Sequence, residues 1–139
     1  DQIQTPDQLK AITTIPLLGR VEQGRFERGQ PLSSWNFQAN YSFSEWSFMA
    51  RAGRYGEITS FNNNVVQDQT FSSVWVVDAE AAYNIMKGLT LGVGVNNLFD
   101  QYPDKIIKVN SFFGILPYSS MSPSGYNGRY VYSRINFSL

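Results

Sequence analysis

The sequence predicts an all-β fold, an antiparallel meander of about five strands, on three observations. Apolar and polar residues alternate with a period of two through five separate stretches. Aromatic residues make up 15% of the 139 residues, with 11 glycines and 6 prolines, a balance that favours strands and turns over helices. Very short connections alternate with long polar ones. An amphipathic last strand running to Leu139 leaves backbone donors and acceptors open along one edge unless a partner covers them, and a closed barrel supplies that partner.

Residues 1–33 keep no sustained period, carry Pro6, Pro16 and Pro31, and include a charged stretch from Arg20 to Gly29. This reads as a long surface loop with a short helical turn near Pro6 to Ile12. Over 34–43, Trp35, Phe37, Ala39, Tyr41 and Phe43 alternate with Asn36, Gln38, Asn40 and Ser42, which predicts a first strand. Ser44-Glu45 makes a short turn into a second strand, 46–55, with Trp46, Phe48, Ala50 and Ala52 opposed to Ser47, Met49, Arg51 and Gly53. Residues 56–71, rich in Asn and Gln, form a polar loop longer than packing requires. A third strand, 72–85, sets Trp75, Val77, Ala79, Ala81 and Tyr83 against Asp78, Glu80, Ala82 and Asn84. Met86-Lys87-Gly88 turns it into a fourth, 89–97, where Leu89, Leu91, Val93 and Val95 alternate with Thr90, Gly92, Gly94 and Asn96. Another long loop, with Pro103, Pro117 and Pro123, leads to the last strand, 127–139.

The apolar face carries no ionised residue along these central segments, whereas Arg51, Asp78, Glu80 and Arg134 share the opposite face. That division suits a barrel wall against hydrocarbon. It describes a soluble sandwich, apolar face inward, equally well. Composition narrows function more sharply. Lys plus Arg equals Asp plus Glu at 11 each, which gives no long-range attraction for nucleic acid. With no Cys and no His, thiol chemistry, zinc thiolate sites and the usual general base are absent, so no enzyme activity and no cofactor are expected. No run of about 18 apolar residues exists to make a membrane helix, and residues 1–30 lack the basic start and apolar centre of a signal peptide. Barrel strands need neither, and a chain opening on Asp1-Gln2 without methionine reads as a fragment.

The stretch from Gly88 to Lys105, with Asn96-Asn97-Leu98-Phe99-Asp100 at its centre, resembles the penultimate strand of TonB-dependent outer-membrane receptors and their Asn-Leu-Phe-Asp motif. Gly29-Gln30-Pro31, Tyr55-Gly56-Glu57, the strand from Trp75 to Tyr83, Pro117 to Ser120 and Ser122 to Tyr130 agree in order, so the resemblance spans nearly the whole chain. It implies the last five strands of a large transmembrane β-barrel of about 22 strands, with short periplasmic turns, long outer loops and no plug domain in this sequence. It implies energised uptake of a ferric siderophore or similar scarce ligand across the outer membrane of a Gram-negative bacterium. The partners are then membrane lipid, the rest of the barrel and its plug, TonB through a part outside this sequence, and the barrel-assembly machinery. That machinery reads a terminal strand, here Ile135, Phe137 and Leu139, ending on Leu where the family usually has an aromatic residue.

Asn96, Asn97, Leu98, Phe99 and Asp100 read as structural, since strand-ending amides and carboxylates bond free backbone groups. Gly92 and Gly94 leave room for a plug. Asp78 and Glu80 read as carboxylates of a hydrated face rather than an acid/base pair, with Arg51 and Arg134 as ordinary charges of the same face. Tyr41, Phe43, Trp46 and Tyr83 gather near the short turns as an interfacial girdle. Tyr118 and Tyr126, in a long loop, are the ligand candidates, and Tyr130, Tyr132, Trp35 and Phe112-Phe113 offer further stacking surfaces. The alternative is a soluble all-β module binding carbohydrate or peptide. A third possibility is self-association of the isolated segment through its open edges and apolar face.

Overall fold

The computed structural model describes Asp7 and residues 18–138. Its main body is one antiparallel sheet of five strands. In chain order the strands are β1 (Ser34–Phe43), β2 (Trp46–Tyr55), β5 (Val74–Met86), β6 (Leu89–Asn96) and β7 (Tyr130–Phe137), each paired with the next. A small hairpin of β3 (Ile58–Ser60) and β4 (Gln69–Phe71) projects between β2 and β5, and a helix, α1 (Arg20–Arg28), precedes β1. The two short turns lie at one end of the sheet and the long connections at the other. No helix among the described residues is long and apolar enough to cross a membrane, a requirement that barrel strands do not share.

Register fixes the two faces. Phe43, Trp46, Tyr83, Leu91 and Ile135 form one cross-strand row, Tyr41, Phe48, Ala81, Val93 and Ser133 the next, and Ala39, Ala50, Ala79, Val95 and Val131 a third. Apart from Ser133 these rows are apolar, and among the described residues no layer covers them: Phe37, on the same face, is 54% exposed and Ile135 72%. Among the described residues only Ile58, Phe71 and Ala82 are buried hydrophobics. A soluble sandwich needs a second sheet to cover such a face, and among the described residues no second layer lies on it. The outer edges of β1 and β7 are unpaired within the described residues.

Aromatic rings bracket the apolar face at both ends. At the short-turn end Trp46 lies 4.8 Å from Tyr83 and 5.9 Å from Phe48, centroid to centroid. At the long-loop end Phe37 sits 6.1 Å from Trp35 and 6.4 Å from Trp75. From Trp35 to Phe43, and again from Trp75 to Tyr83, the interval is eight residues, or about 27 Å along an antiparallel strand.

The polar face is tied across strands. Gly94 stands between Glu80 and Tyr132 in the register, and Gly92 pairs with Arg134. With no side chains on β6 at those positions, the Tyr132 ring lies over Gly94 and its hydroxyl donates to Glu80 Oε2 at 2.7 Å. Arg134 crosses over Gly92 to the other oxygen of the same carboxylate. The space that the sequence assigned to a plug above these glycines is therefore filled by β7. The pairing β5–β6–β7 is clamped from above by side chains that skip the middle strand.

Several boundaries differ from the sequence reading, each for a local reason. The stretch 1–33 is not all loop, because α1 runs from Arg20 to Arg28; its charged residues mask the periodicity that would have marked it. The turn expected over Pro6 to Ile12 lies, apart from Asp7, outside the described residues, as does Leu139. β5 starts at Val74 rather than 72, because the Ser72 N–H is taken by Asp104 at 2.6 Å. β6 stops at Asn96 rather than 97, since Asn97 has φ 53°. β7 starts at Tyr130 rather than 127, because the Arg129 N–H bonds Asp100 at 2.7 Å. The 56–71 loop contains β3, β4 and a 3-10 turn, Val65–Gln67.

α1 docks on this hairpin through Gly24, which is buried against the Phe61 ring. Arg20 pairs with Asp68, donates to the Asn62 carbonyl, and lies 5.2 Å from the Phe61 centroid. The Arg20 guanidinium, helped by the Asn62 N–H at 2.9 Å, holds the Asp68 carboxyl below its ordinary value of 3.8. A depressed carboxylate contributes its stability above the unfolded value and loses it as pH falls through the lower folded value.

Two expected outcomes follow from these contacts. Gly94→Ala pushes a β-carbon into the Tyr132 ring and should cost about 1–3 kcal/mol of unfolding stability, read as a lower urea midpoint in detergent or vesicles; an unchanged midpoint contradicts the clamp. Hydrogen-exchange protection of Arg20–Arg28 should hold from about pH 6 down to the ordinary carboxylate value and fall below it. The same pH response in Asp68→Asn would show that this carboxylate is not the cause.

Candidate functional site at the long-loop end

The Asn96-to-Asp100 segment is where strands end and loops begin. Asn97 and Asp100 both adopt positive φ, 53° and 55°, a conformation that Asn and Asp tolerate better than other side chains. Asn97 reverses the chain so that its own N–H donates to Asp78 Oδ1 at 2.8 Å, while the Leu98 N–H returns to the Val77 carbonyl at 2.7 Å. Its side-chain amide then accepts from the Gln101 N–H and donates to the Gln101 carbonyl, both at 2.8 Å, with a longer bond to the Asn127 carbonyl. One side chain thus holds the start of the long loop against its end. Leu98 is half-buried and Phe99 is 62% exposed.

Asp78 is the junction beneath this turn. Its second oxygen accepts from Arg51 Nε at 2.9 Å and Nη2 at 2.6 Å, so one carboxylate links β2, β5 and the loop after β6. Arg51 and Arg134 each engage a carboxylate of their own sheet, Asp78 and Glu80 respectively. These four charges are partners in pairs within the wall. Above Arg51 and Asp78 opens a cleft of about 470 Å³ whose lining also includes Tyr55, Asn97, Asn127 and Tyr130. Tyr55 and Asn127 were not among the sequence candidates. The parity of Tyr55 with Arg51 and Gly53 was the available signal for the first, whereas Asn127 joins only through the loop's return.

The long connections interlock. The Gln69 side chain donates to the Lys105 carbonyl at 2.8 Å and accepts from the Ile107 N–H at 2.9 Å. Asn110 donates to the Gln67 carbonyl at 2.6 Å and accepts from Asn62 at 3.0 Å. The loop between β6 and β7 is therefore stitched onto the hairpin between β2 and β5, which itself carries α1.

Tyr118 stacks on Tyr102, centroids 5.5 Å apart and planes 15° from parallel, where Lys105 bridges Tyr118. The nearby Asp100 carboxylate raises the Tyr102 phenol above its ordinary 10.0. Tyr126 projects 49% exposed after the turn at Gly125. The two ligand candidates sit in the same loop but do not touch one another. Among the further stacking candidates, Trp35 belongs to the apolar face, Tyr132 is committed to Glu80, Tyr130 lines the cleft, and Phe112 and Phe113 form an exposed edge-to-face pair 4.4 Å apart.

No curated protein and no solved structure matches the chain. The family described as TonB dependent receptor-like, beta-barrel matches residues 14–98, from before α1 through β6 and into the turn motif. With that match covering more than half of the sequence, and five antiparallel strands whose charges pair along one face only, the chain belongs to the TonB-dependent receptor β-barrel family.

Proposed function

We propose that the chain is a segment of outer-membrane barrel wall in a receptor that takes up a ferric siderophore or similarly scarce ligand, energised through TonB. The observation that carries this is the apolar face, uncovered and bracketed by aromatic rows. An interval of about 27 Å along strands tilted by about 40° corresponds to a height of about 21 Å, close to the apolar band of outer-membrane barrels. Trp and Tyr at both limits suit the membrane–water interface. In this orientation the short turns face the periplasm and the interlocked loops face outward. The role is transport and binding rather than catalysis.

The open edges of β1 and β7 then pair with the remainder of the barrel, and the cleft above Arg51 and Asp78 faces the plug. Ile135 and Phe137 lie on the apolar face at the short-turn end, 72% and 68% exposed, within reach of the assembly machinery; Leu139, the third residue of that signal, lies outside the described residues. Tyr118 and Tyr126 present rings in the outer loop, and stacking on such rings holds flat or hydroxylated ligands.

The test is iron accumulation from ferric siderophores in cells that depend on this receptor. Tyr118→Ala with Tyr126→Ala should reduce uptake about tenfold, as expected for one to two stacking contacts, without lowering the amount of receptor in the outer membrane, and removing TonB should abolish uptake. Uptake unaltered by the tyrosine changes assigns the ligand to other residues; uptake unaltered by loss of TonB contradicts the transport reading.

A further inference from the structure

Arg54 is the only cation of the five strands on the apolar face. Its direct cross-strand partners are Trp35 on β1 and Trp75 on β5, so it occupies the centre of the aromatic row at the long-loop end. The neighbouring row, Phe37, Ala52 and Val77, is wholly apolar. The other two strand arginines, Arg51 and Arg134, point to the polar face and hold carboxylates. Among the described residues Arg54 belongs to no ion pair, and its side chain donates from Nη1 to the Ser33 hydroxyl at 3.3 Å.

A guanidinium has five donors in a flat fork that matches phosphate oxygens two at a time. A single long bond to a neutral hydroxyl leaves most of that capacity unused. Charge on a barrel's lipid face is costly near the midplane and falls to almost nothing near the interface, and long cationic side chains there extend toward the headgroups. We propose that Arg54, framed by Trp35 and Trp75, binds the phosphate of an anionic membrane lipid at the outer rim of the wall. The Trp rings pack against the acyl region while the guanidinium takes the phosphate, so one lipid is held by its charge and its chains together. This inference rests on the lipid-facing orientation proposed above and adds a headgroup preference that the orientation alone does not require.

Brominated lipids separate the two claims. The Trp46→Phe chain, with Trp35 and Trp75 as its remaining tryptophans, is reconstituted in equimolar phosphatidylcholine and phosphatidylglycerol, with bromine on the acyl chains of one lipid or the other. Brominated phosphatidylglycerol should quench more strongly, matching a local enrichment of about three- to fivefold for one interfacial cation. Arg54→Gln should make the two lipids quench equally, and Arg54→Lys, which keeps the charge, should retain part of the preference. Equal quenching by both lipids in the parent chain, or a preference that survives Arg54→Gln, overturns the phosphate site while leaving the lipid-facing reading standing. No quenching by either lipid overturns both.

Discussion

Two carboxylates on the central strand organise the sheet. Asp78 and Glu80 stand two residues apart on the polar face of β5, with side chains 9% exposed each. Asp78 reaches sideways to β2 through Arg51 and upward to the turn after β6 through the Asn97 N–H. Glu80 reaches across β6 to Tyr132 and Arg134 of β7. A carboxylate so nearly buried is tolerated only with partners that satisfy it. Through these two groups β2, the turn after β6, and β7 are all tied to β5, and this concentrates the sheet's paired charge on one side. The other side can then be apolar from β1 to β7.

The glycines of β6 follow from the same arrangement. Glu80 can be reached from β7 only if the strand between them has no side chain in the way, and Gly92 and Gly94 provide that gap. Glycine weakens a strand by removing packing surface, and an aromatic ring laid over it restores the loss. The run Leu89 to Asn96 thus combines an apolar face of Leu and Val with a polar face that is open at alternate positions. Asn97 and Asp100 convert the end of that strand into a turn whose side chains fasten the beginning and end of the long loop.

The all-β class and the identity of the two faces were legible because a period of two survives wherever one face is apolar and the other polar. Turn residues such as Ser44-Glu45 and Lys87-Gly88 marked the short connections for the same local reason. Less local features were hidden. α1 is a charged helix whose only buried residue is Gly24, so its sequence carries no apolar stripe to reveal it. The hairpin of β3 and β4 has three-residue strands, too short for a pattern. The ends of β5 and β7 depend on Asp104 and Asp100, side chains 32 and 29 residues away in sequence, which no window along the chain can see. The crossing of Tyr132 over Gly94 is likewise a register effect, and reading the glycine as empty space missed what fills it.

The face that meets hydrocarbon in the proposed orientation can be measured directly, because the chain contains no cysteine and accepts single-cysteine labels without background. A spin-label scan along β2 from Trp46 to Arg54 in lipid vesicles should show oxygen accessibility rising at Phe48, Ala50 and Ala52, and accessibility to a water-soluble nickel complex rising at Ser47, Met49, Arg51 and Gly53. A profile without that two-residue alternation, or with the two sets exchanged, would contradict the assignment of the apolar face to lipid.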